Sequence, residues 1–288
     1  MAKSEFDPNT ENTCEAIIIE SKRITSDDTD EVRNIVIRID DPSFRFMEGQ
    51  SIGILIPGPH EFGNKYHHRR YSIASARQTE MDEGLTLDLL VRRCFYIDEV
   101  SGEQYPGVAS NFLCDARPGD GITITGPYRS PFTIPSDTSK NLLMIGTGTG
   151  IAPFRAFIQH IYQQHKEWKG KVRLFYGAKS GLDLLYMNDI DNDLTNYYDK
   201  DTFEAFQAIG QHALAGPDEA LEHSLEQNAA EAWSLMGDPA TYVLLAGLGK
   251  VAEKLDKTMA KAAGSEELWQ KTRQRMIDEN RWSELVYN

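Results

Sequence analysis

Three short segments carry side chains whose types and spacing could do chemistry. In Arg69-Arg70-Tyr71-Ser72-Ile73-Ala74-Ser75, cations, an aromatic ring and a hydroxyl follow one another in a strand-like run. At a period of two, Arg69 and Tyr71 share one face and Ser72 points the opposite way. Such a set can lay a planar ring system against the aromatic face, pair a phosphate with the guanidinium, and offer a hydroxyl to a reactive heteroatom. In Gly107-Val108-Ala109-Ser110-Asn111-Phe112-Leu113-Cys114, a glycine turn precedes Ser110 and a short amphipathic helix. N–H groups at a helix start, helped by its dipole, bind phosphate without a basic side chain. Ser110 or Asn111 also suits a plain N-cap. The third segment is Gly146-Thr147-Gly148-Thr149-Gly150-Ile151-Ala152-Pro153-Phe154-Arg155. Its glycines let the backbone turn sharply and approach a pyrophosphate, and Pro153 fits a first helical turn, so Thr147, Gly148, Thr149 and Gly150 are candidate nucleotide contacts.

The elements around these segments fall into two kinds. Strand-like runs at 16–20, 32–39, 51–56, 85–92 and 121–125 are separated by Asp40-Asp41-Pro42, Pro57-Gly58-Pro59 and Arg117-Pro118-Gly119-Asp120. Short strands broken by such turn signals predict a small antiparallel barrel. A polar, proline-containing stretch at 131–140 follows, and then the period changes. A buried strand at 141–145, the glycine turn, a helix over 153–168, a strand at 172–176 and another at 241–246 predict a parallel sheet in an α/β nucleotide-binding domain. The polar stretch 183–233 gives only a loose indication of helices, while 255–263 and 266–279 read as helical. The expected division is an antiparallel β-barrel at 1–135 and an α/β domain at 136–288.

Composition narrows the function classes. Of 288 residues, 30 are Lys or Arg and 44 are Asp or Glu, a formal charge of −14. The deficit is spread evenly, 14 basic against 22 acidic up to Pro135 and 16 against 22 beyond it. Attraction to nucleic acid or anionic lipid is therefore not expected. No apolar run is long enough to cross a membrane and the start lacks an apolar signal core, which predicts a cytoplasmic protein. Cys14, Cys94 and Cys114 form no C-x-x-C pair, so no metal site is expected and the cysteines read as small buried residues. Any redox chemistry has to come from a bound organic cofactor.

Together, in this order and with about 35 residues between each, the segments Arg69–Ser75, Gly107–Asp115 and Gly146–Arg155 resemble the plant-type ferredoxin–NADP reductase family. The resemblance runs from about Val32 to Tyr287. It implies an N-terminal FAD-binding antiparallel barrel and a C-terminal pyridine-nucleotide domain. Carried over, it puts Tyr71 against the flavin ring, Arg69 and Ser110 on the pyrophosphate, and Ser72 near flavin N5. Arg93 and Tyr96 would surround the adenine half of FAD, and Gly107 would form the turn before Ser110. The family's terminal Tyr, which covers the other flavin face and moves aside for the nicotinamide, corresponds to Tyr287, here followed by Asn288.

The chain also departs from the family pattern. Where the family carries a Cys by the nicotinamide C4 this chain has Ala246, and where it carries a Glu near the terminus this chain has Leu285, with Glu284 one place earlier. The segment 206–219, matched to the family's 2′-phosphate site, contains no Arg or Lys and ends in Asp218-Glu219. A 2′-phosphate needs cations and hydroxyls, so NADH is slightly favoured over NADPH. The implied activity is hydride transfer between the nicotinamide and FAD, with single electrons passing to a carrier. Ser72, Tyr287 and Ala246 would stand at the reacting atoms. Ferredoxin, flavodoxin or the iron–sulfur component of an oxygenase are the expected carriers. The reductase component of a multicomponent oxygenase and a flavin-binding electron-transfer subunit without nicotinamide turnover are the alternatives.

Overall fold

The computed structural model describes residues 13–58, 60, 65–78, 84–98, 100–164, 168–198, 201–212 and 215–287. The chain divides into two compact units, 1–130 and 131–288, so the border falls a few residues ahead of the expected one.

Unit 1 is built on β1 (Thr13–Arg23), β2 (Val32–Ile39), β3 (Ser51–Pro57), β4 (Tyr66–Ser72) and β5 (Leu85–Arg92). A small hairpin, β6 (Phe95–Ile97) and β7 (Gln104–Pro106), leads into α1 (Val108–Asp115) and β8 (Gly121–Tyr128). Six strands pair antiparallel in the order β4-β3-β8-β1-β2-β5. An isolated antiparallel bridge, Ile73 to Leu89, joins the two edges and closes the sheet into a barrel. Alternation explains the core: Ile35, Ile37 and Ile39 of β2 and Leu85, Leu87, Leu89 and Val91 of β5 all point inward. α1 plugs the barrel with Ala109, Leu113 and Cys114.

Unit 2 is a parallel sheet flanked by helices. Its elements are β9 (Asn141–Thr147), α2 (Ile151–Gln159), β10 (Val172–Ala178), β11 (Phe203–Ile209), α3 (Pro217–Gln227) and α4 (Ala229–Gly237). They continue with β12 (Thr241–Leu248), α5 (Lys250–Ala263), α6 (Glu266–Asp278) and β13 (Trp282–Tyr287). The strand order is β11-β10-β9-β12-β13, and every pair is parallel. All seven residues of β10 are buried, as expected of a strand covered on both faces. α6 starts where Ser265 Oγ accepts from the Leu268 N–H, and α5 ends at Gly264 with φ 78°.

Several boundaries differ from the sequence reading. The helix expected over 153–168 gives way at His160 to a wider turn over 160–164. β11 and β13 were not expected as strands. β11 is an edge strand with only Phe203 and Ala208 buried, and β13 carries Ser283 and Glu284 among its apolar residues. The cysteines differ as well: Cys114 is buried, but Cys14 is half-buried and Cys94 exposed. Among the described residues no helix is long and apolar enough to cross a membrane.

Candidate functional site

In unit 1 the first segment forms β4 and the bridge that follows it. Tyr71 lies opposite Ile52 of β3 and packs on the barrel core, and this burial pushes its hydroxyl pKa up against the pull of Arg69. Arg69, two residues away on the same face, is exposed. Ser72, half-buried, ends the strand opposite Ser51. The other face is committed internally. His68 reaches across Gly53 to Thr125 Oγ1 at 3.0 Å, and the Arg70 guanidinium lies 3.8 Å from the centre of the Tyr128 ring. Both adjacent arginines are exposed, and of the two it is Arg69 that shares the face of the half-buried Tyr71.

The second segment forms a helix start whose hydroxyl is already used. Gly107, not Ser110 or Asn111, is the N-cap of α1, and no side chain caps the first turn. Ser110 Oγ accepts from the Cys94 N–H at 3.1 Å and donates to the Gly107 carbonyl at 3.3 Å. Ser110 thus ties the helix to the start of the β6–β7 hairpin, and the first-turn N–H groups of a helix have no intrahelical partners. No acidic residue occupies that turn. Dipole and donors together make a place for an anion.

Arg93 is held by its neighbours. Its guanidinium donates to Glu31 at 2.7 Å, Asp115 at 2.8 Å and Asn111 at 2.9 Å, pinning the chain between β5 and β6 to α1. Burial pushes the Glu31 carboxyl up, but hydrogen bonds from Arg93 and Arg33 outweigh it and hold the pKa below its ordinary value. With two carboxylates on it, Arg93 sets the shape of the region more than it supplies free charge. Tyr96, on β6, is half exposed and stacks on Tyr105 of β7, ring centres 5.5 Å apart and planes 23° apart. Tyr105 escaped the sequence reading. Its signal was an aromatic at the mirror position across a short turn containing Ser101-Gly102.

In unit 2 the third segment leaves the carboxyl end of β9. From β9 the chain crosses to β10 on one side, while β12 packs on the other, so the ends of β9 and β12 flank a topological switch point. Ligands of open α/β sheets bind in that crevice. The glycines are explained by close approach. A Cβ on Gly150 would lie 2.7 Å from the Ala246 carbonyl oxygen, and one on Gly146 would lie 2.8 Å from the same atom. Gly148 has φ 53°, and a Cβ there would meet nothing within 4 Å, so its side faces open space. Its carbonyl accepts from the buried Tyr176 hydroxyl at 2.9 Å, which fixes the turn from beneath. Thr147 is buried and Thr149 half-buried.

β12 answers from the other side of the crevice. Gly247 has φ 146°, and its added Cβ would come within 2.8 Å of Thr147 Oγ1. Ala246 is completely buried and lies opposite Leu285 of β13. Only through the course of its backbone does Ala246 shape the crevice. Glu284 turns toward α6, where it meets Arg273 at 2.6 Å and accepts from Trp282 Nε1. Tyr287 closes β13, but its side chain, like Asn288, lies outside the described residues.

Asp218, in the first turn of α3, was not singled out as a site residue. Burial pushes its carboxyl pKa up, Lys250 and Thr147 pull it back, and Oδ1 is buried without a hydrogen-bond partner. In the segment 206–219, His212 lies 3.3 Å from Glu219, and residues 213 and 214 lie outside the described residues. Arg155, at the end of the glycine segment, points inward. It donates to Asp193 at 2.6 Å and covers the Tyr186 ring, so its part is to hold α2 in place.

Comparison with known proteins agrees with this geometry. An oxidoreductase NAD-binding domain family model matches residues 144–274, spanning the glycine turn and the switch point. The chain is 34% identical over 264 residues to a ferredoxin–NADP reductase of Synechocystis sp., covering 89% of this chain and 63% of that protein. It is 32% identical over 265 residues to the ferredoxin–NADP reductase of Spirulina sp., covering 90% of each. The chain spans a little under two thirds of the length of the Synechocystis relative and of a second, from Picosynechococcus sp.. A ferredoxin–NADP+ reductase structure from Plasmodium falciparum has the same fold, with a TM-score of 0.74 at 20% identity over 97% of this chain and 98% of that one. With two glycine-dependent turns at a parallel-sheet switch point, an antiparallel barrel ahead of them, and this likeness along nearly its whole length, the chain belongs to the ferredoxin–NADP reductase family.

Proposed function

We propose that the protein is an FAD-dependent oxidoreductase that passes electrons between a nicotinamide dinucleotide and a one-electron carrier protein. The observation that carries the reading is the uncapped start of α1, free of acidic residues and tethered through Ser110 and Cys94 to a hairpin with an open tyrosine face. An anion site joined to an aromatic platform suits the pyrophosphate and adenine of FAD. Arg69 and Tyr71 on β4 would take the remaining phosphate charge and the flavin ring, with Ser72 beside the ring's reactive edge. When bound there, FAD would supply hydride exchange with a nicotinamide and single-electron exchange with the carrier. The protein's part is to hold and orient.

In unit 2, Thr147, Gly148, Thr149 and Gly150 would cradle the dinucleotide's phosphates, with Gly247 and Ala246 forming the facing wall. Tyr287 would be the residue that yields to the nicotinamide. The relatives are named for NADP, and their likeness favours NADPH. This chain's own residues favour NADH slightly, because the described part of 206–219 offers only His212 as a cationic partner and Glu219 already lies against it. The relatives' names specify ferredoxin, and a ferredoxin is the carrier we propose first, with flavodoxin or an oxygenase iron–sulfur component as the other acceptors to be assayed.

The test is anaerobic stopped-flow reduction of the FAD-loaded protein with NADH and NADPH in parallel, following loss of the visible flavin band. Rapid bleaching by either nucleotide is the expected result, and the ratio of rates assigns the nucleotide. Firmly bound FAD that neither nucleotide bleaches would replace the reductase with an electron-transfer subunit. A protein that stays colourless after incubation with FAD would end the flavin reading.

A further inference from the structure

The β6–β7 hairpin carries a feature that the family resemblance does not assign. Tyr96 and Tyr105 lie directly opposite each other in the ladder, on one face of a ribbon only three residues long on each strand. So short a ribbon has little stability of its own. Several contacts close it: Asp98 N–H to the Glu103 carbonyl and Gly107 N–H to the Cys94 carbonyl, both 2.9 Å, with Gly102 N–H to the Asp98 carbonyl at 2.8 Å. The Tyr105 hydroxyl donates to Glu103 Oε2 at 2.6 Å, which fixes the direction of its ring. Phe95 and Ile97 face the other way. The tyrosine face is therefore a preset surface whose outer side is half open, Tyr96 being 50% exposed and Tyr105 39%.

From this we infer that Tyr105 is a positioning residue for FAD. It backs Tyr96, and the pair forms a two-ring platform on which the adenine of FAD lies, beside the α1 start that takes the pyrophosphate. The inference rests on the proposed reading that Tyr96 receives the adenine. A lone half-exposed tyrosine on a three-residue strand would be ordered only on binding, at a cost in side-chain freedom. Cross-strand stacking meets that cost during folding. At 5.5 Å the two rings leave no slot for a base between them, so the adenine stacks on the outside of the pair and Tyr105 acts through Tyr96.

The experiment measures the affinity of the apoprotein for FAD and for FMN, by calorimetry, in wild type, Tyr105→Phe and Tyr105→Ala. FMN has no adenosine and reports on the rest of the site. Tyr105→Phe keeps the ring and is expected to bind FAD within about twofold of wild type. Tyr105→Ala is expected to weaken FAD by about five- to tenfold, the size of one aromatic pair, with FMN affinity unchanged. Thermal melting of each apoprotein shows that the barrel stays folded. Undiminished FAD affinity in Tyr105→Ala would overturn the inference, and so would an equal loss for FAD and FMN. Wild-type protein that binds FMN and FAD equally would show that no adenine site exists and remove the reading on which the inference rests.

Discussion

Gly148 and Gly150 stand two residues apart in the same turn, yet an added methyl group has opposite consequences at the two positions. At Gly150 the new Cβ lies 2.7 Å from the Ala246 oxygen, 2.8 Å from its carbonyl carbon and 3.0 Å from the Gly247 nitrogen. The contact to oxygen is roughly 0.6 to 0.9 Å inside a relaxed C···O approach of about 3.3 to 3.6 Å. All three atoms are backbone near the carboxyl end of β12, so the turn and β12 must separate, an overpacking cost of about 1–3 kcal/mol. At Gly148 the Cβ meets no atom of the protein. The cost there is the left-handed backbone, about 1–2 kcal/mol for an L side chain, partly offset by the lower entropy of unfolded alanine. That open side is where a phosphate would approach, and a methyl group there removes charge-assisted hydrogen bonds of about 1.5–3 kcal/mol. Gly150→Ala should lose several degrees of melting temperature, and Gly148→Ala fewer, while 2′,5′-ADP and 5′-ADP bind Gly148→Ala at least tenfold more weakly by calorimetry. A Gly148→Ala protein that binds either nucleotide as well as wild type would refute the assignment of the turn, and an undiminished melting temperature for Gly150→Ala would refute the packing argument.

Two further predictions rest on titratable groups. Glu31 has its pKa lowered in the folded protein, so its contribution to stability is present above the unfolded carboxyl pKa and is lost as pH falls through the folded value. Glu31→Gln should therefore cost about 1–3 kcal/mol at neutral pH, measured by urea unfolding, with the gap from wild type closing below about pH 4. Burial raises the thiol pKa of Cys114 to about 11, whereas Cys94 is exposed. A thiol reagent at neutral pH should modify Cys94 quickly and Cys114 only after unfolding, and prompt labelling of Cys114 in the native protein would contradict the packing of α1 against the barrel.

The parts of the fold that were legible in the sequence are those where burial imposes a period. β2 and β5 alternate, β10 is apolar throughout, and their limits are close to what the hydrophobic pattern predicts. β11 and β13 escaped because their pattern is set by position. β11 lies at the sheet edge and carries Glu204 and Gln207 between apolar residues. β13 carries Ser283 and Glu284, and the acid is acceptable there because Arg273 and the Trp282 indole meet it. The hydrophobic pattern does not show that pairing, since Arg273 belongs to a different element, α6. α3 and α4 share that difficulty: Glu222 is nearly buried in α3 because Lys254 and Lys257 of α5 reach it.

Backbone sites and side-chain sites differ in the same way. The glycine turn was readable because its requirement is local: a positive φ at Gly148 and no room for a Cβ at Gly146 or Gly150 leave few residue types to choose from. The cations were less readable, because their charge is spent on partners far away in sequence. Arg93 is shared between Glu31 and Asp115, Arg155 is paired with Asp193, and Arg70 lies over Tyr128. Arg69 and Arg70 are both exposed, but Arg69 shares the face of Tyr71 while Arg70 lies over Tyr128, which makes Arg69 the member of the Arg-Arg pair placed to meet a phosphate beside that ring. An anionic cofactor held mainly by N–H groups, as proposed at α1, would also fit the net charge of −14, because a helix start attracts phosphate without asking an acidic chain for another lysine or arginine. In the proposed sites the dipoles and peptide donors, fixed by Gly107 and by the turn at Gly146–Gly150, would do the work that the side chains first suggest is done by charge.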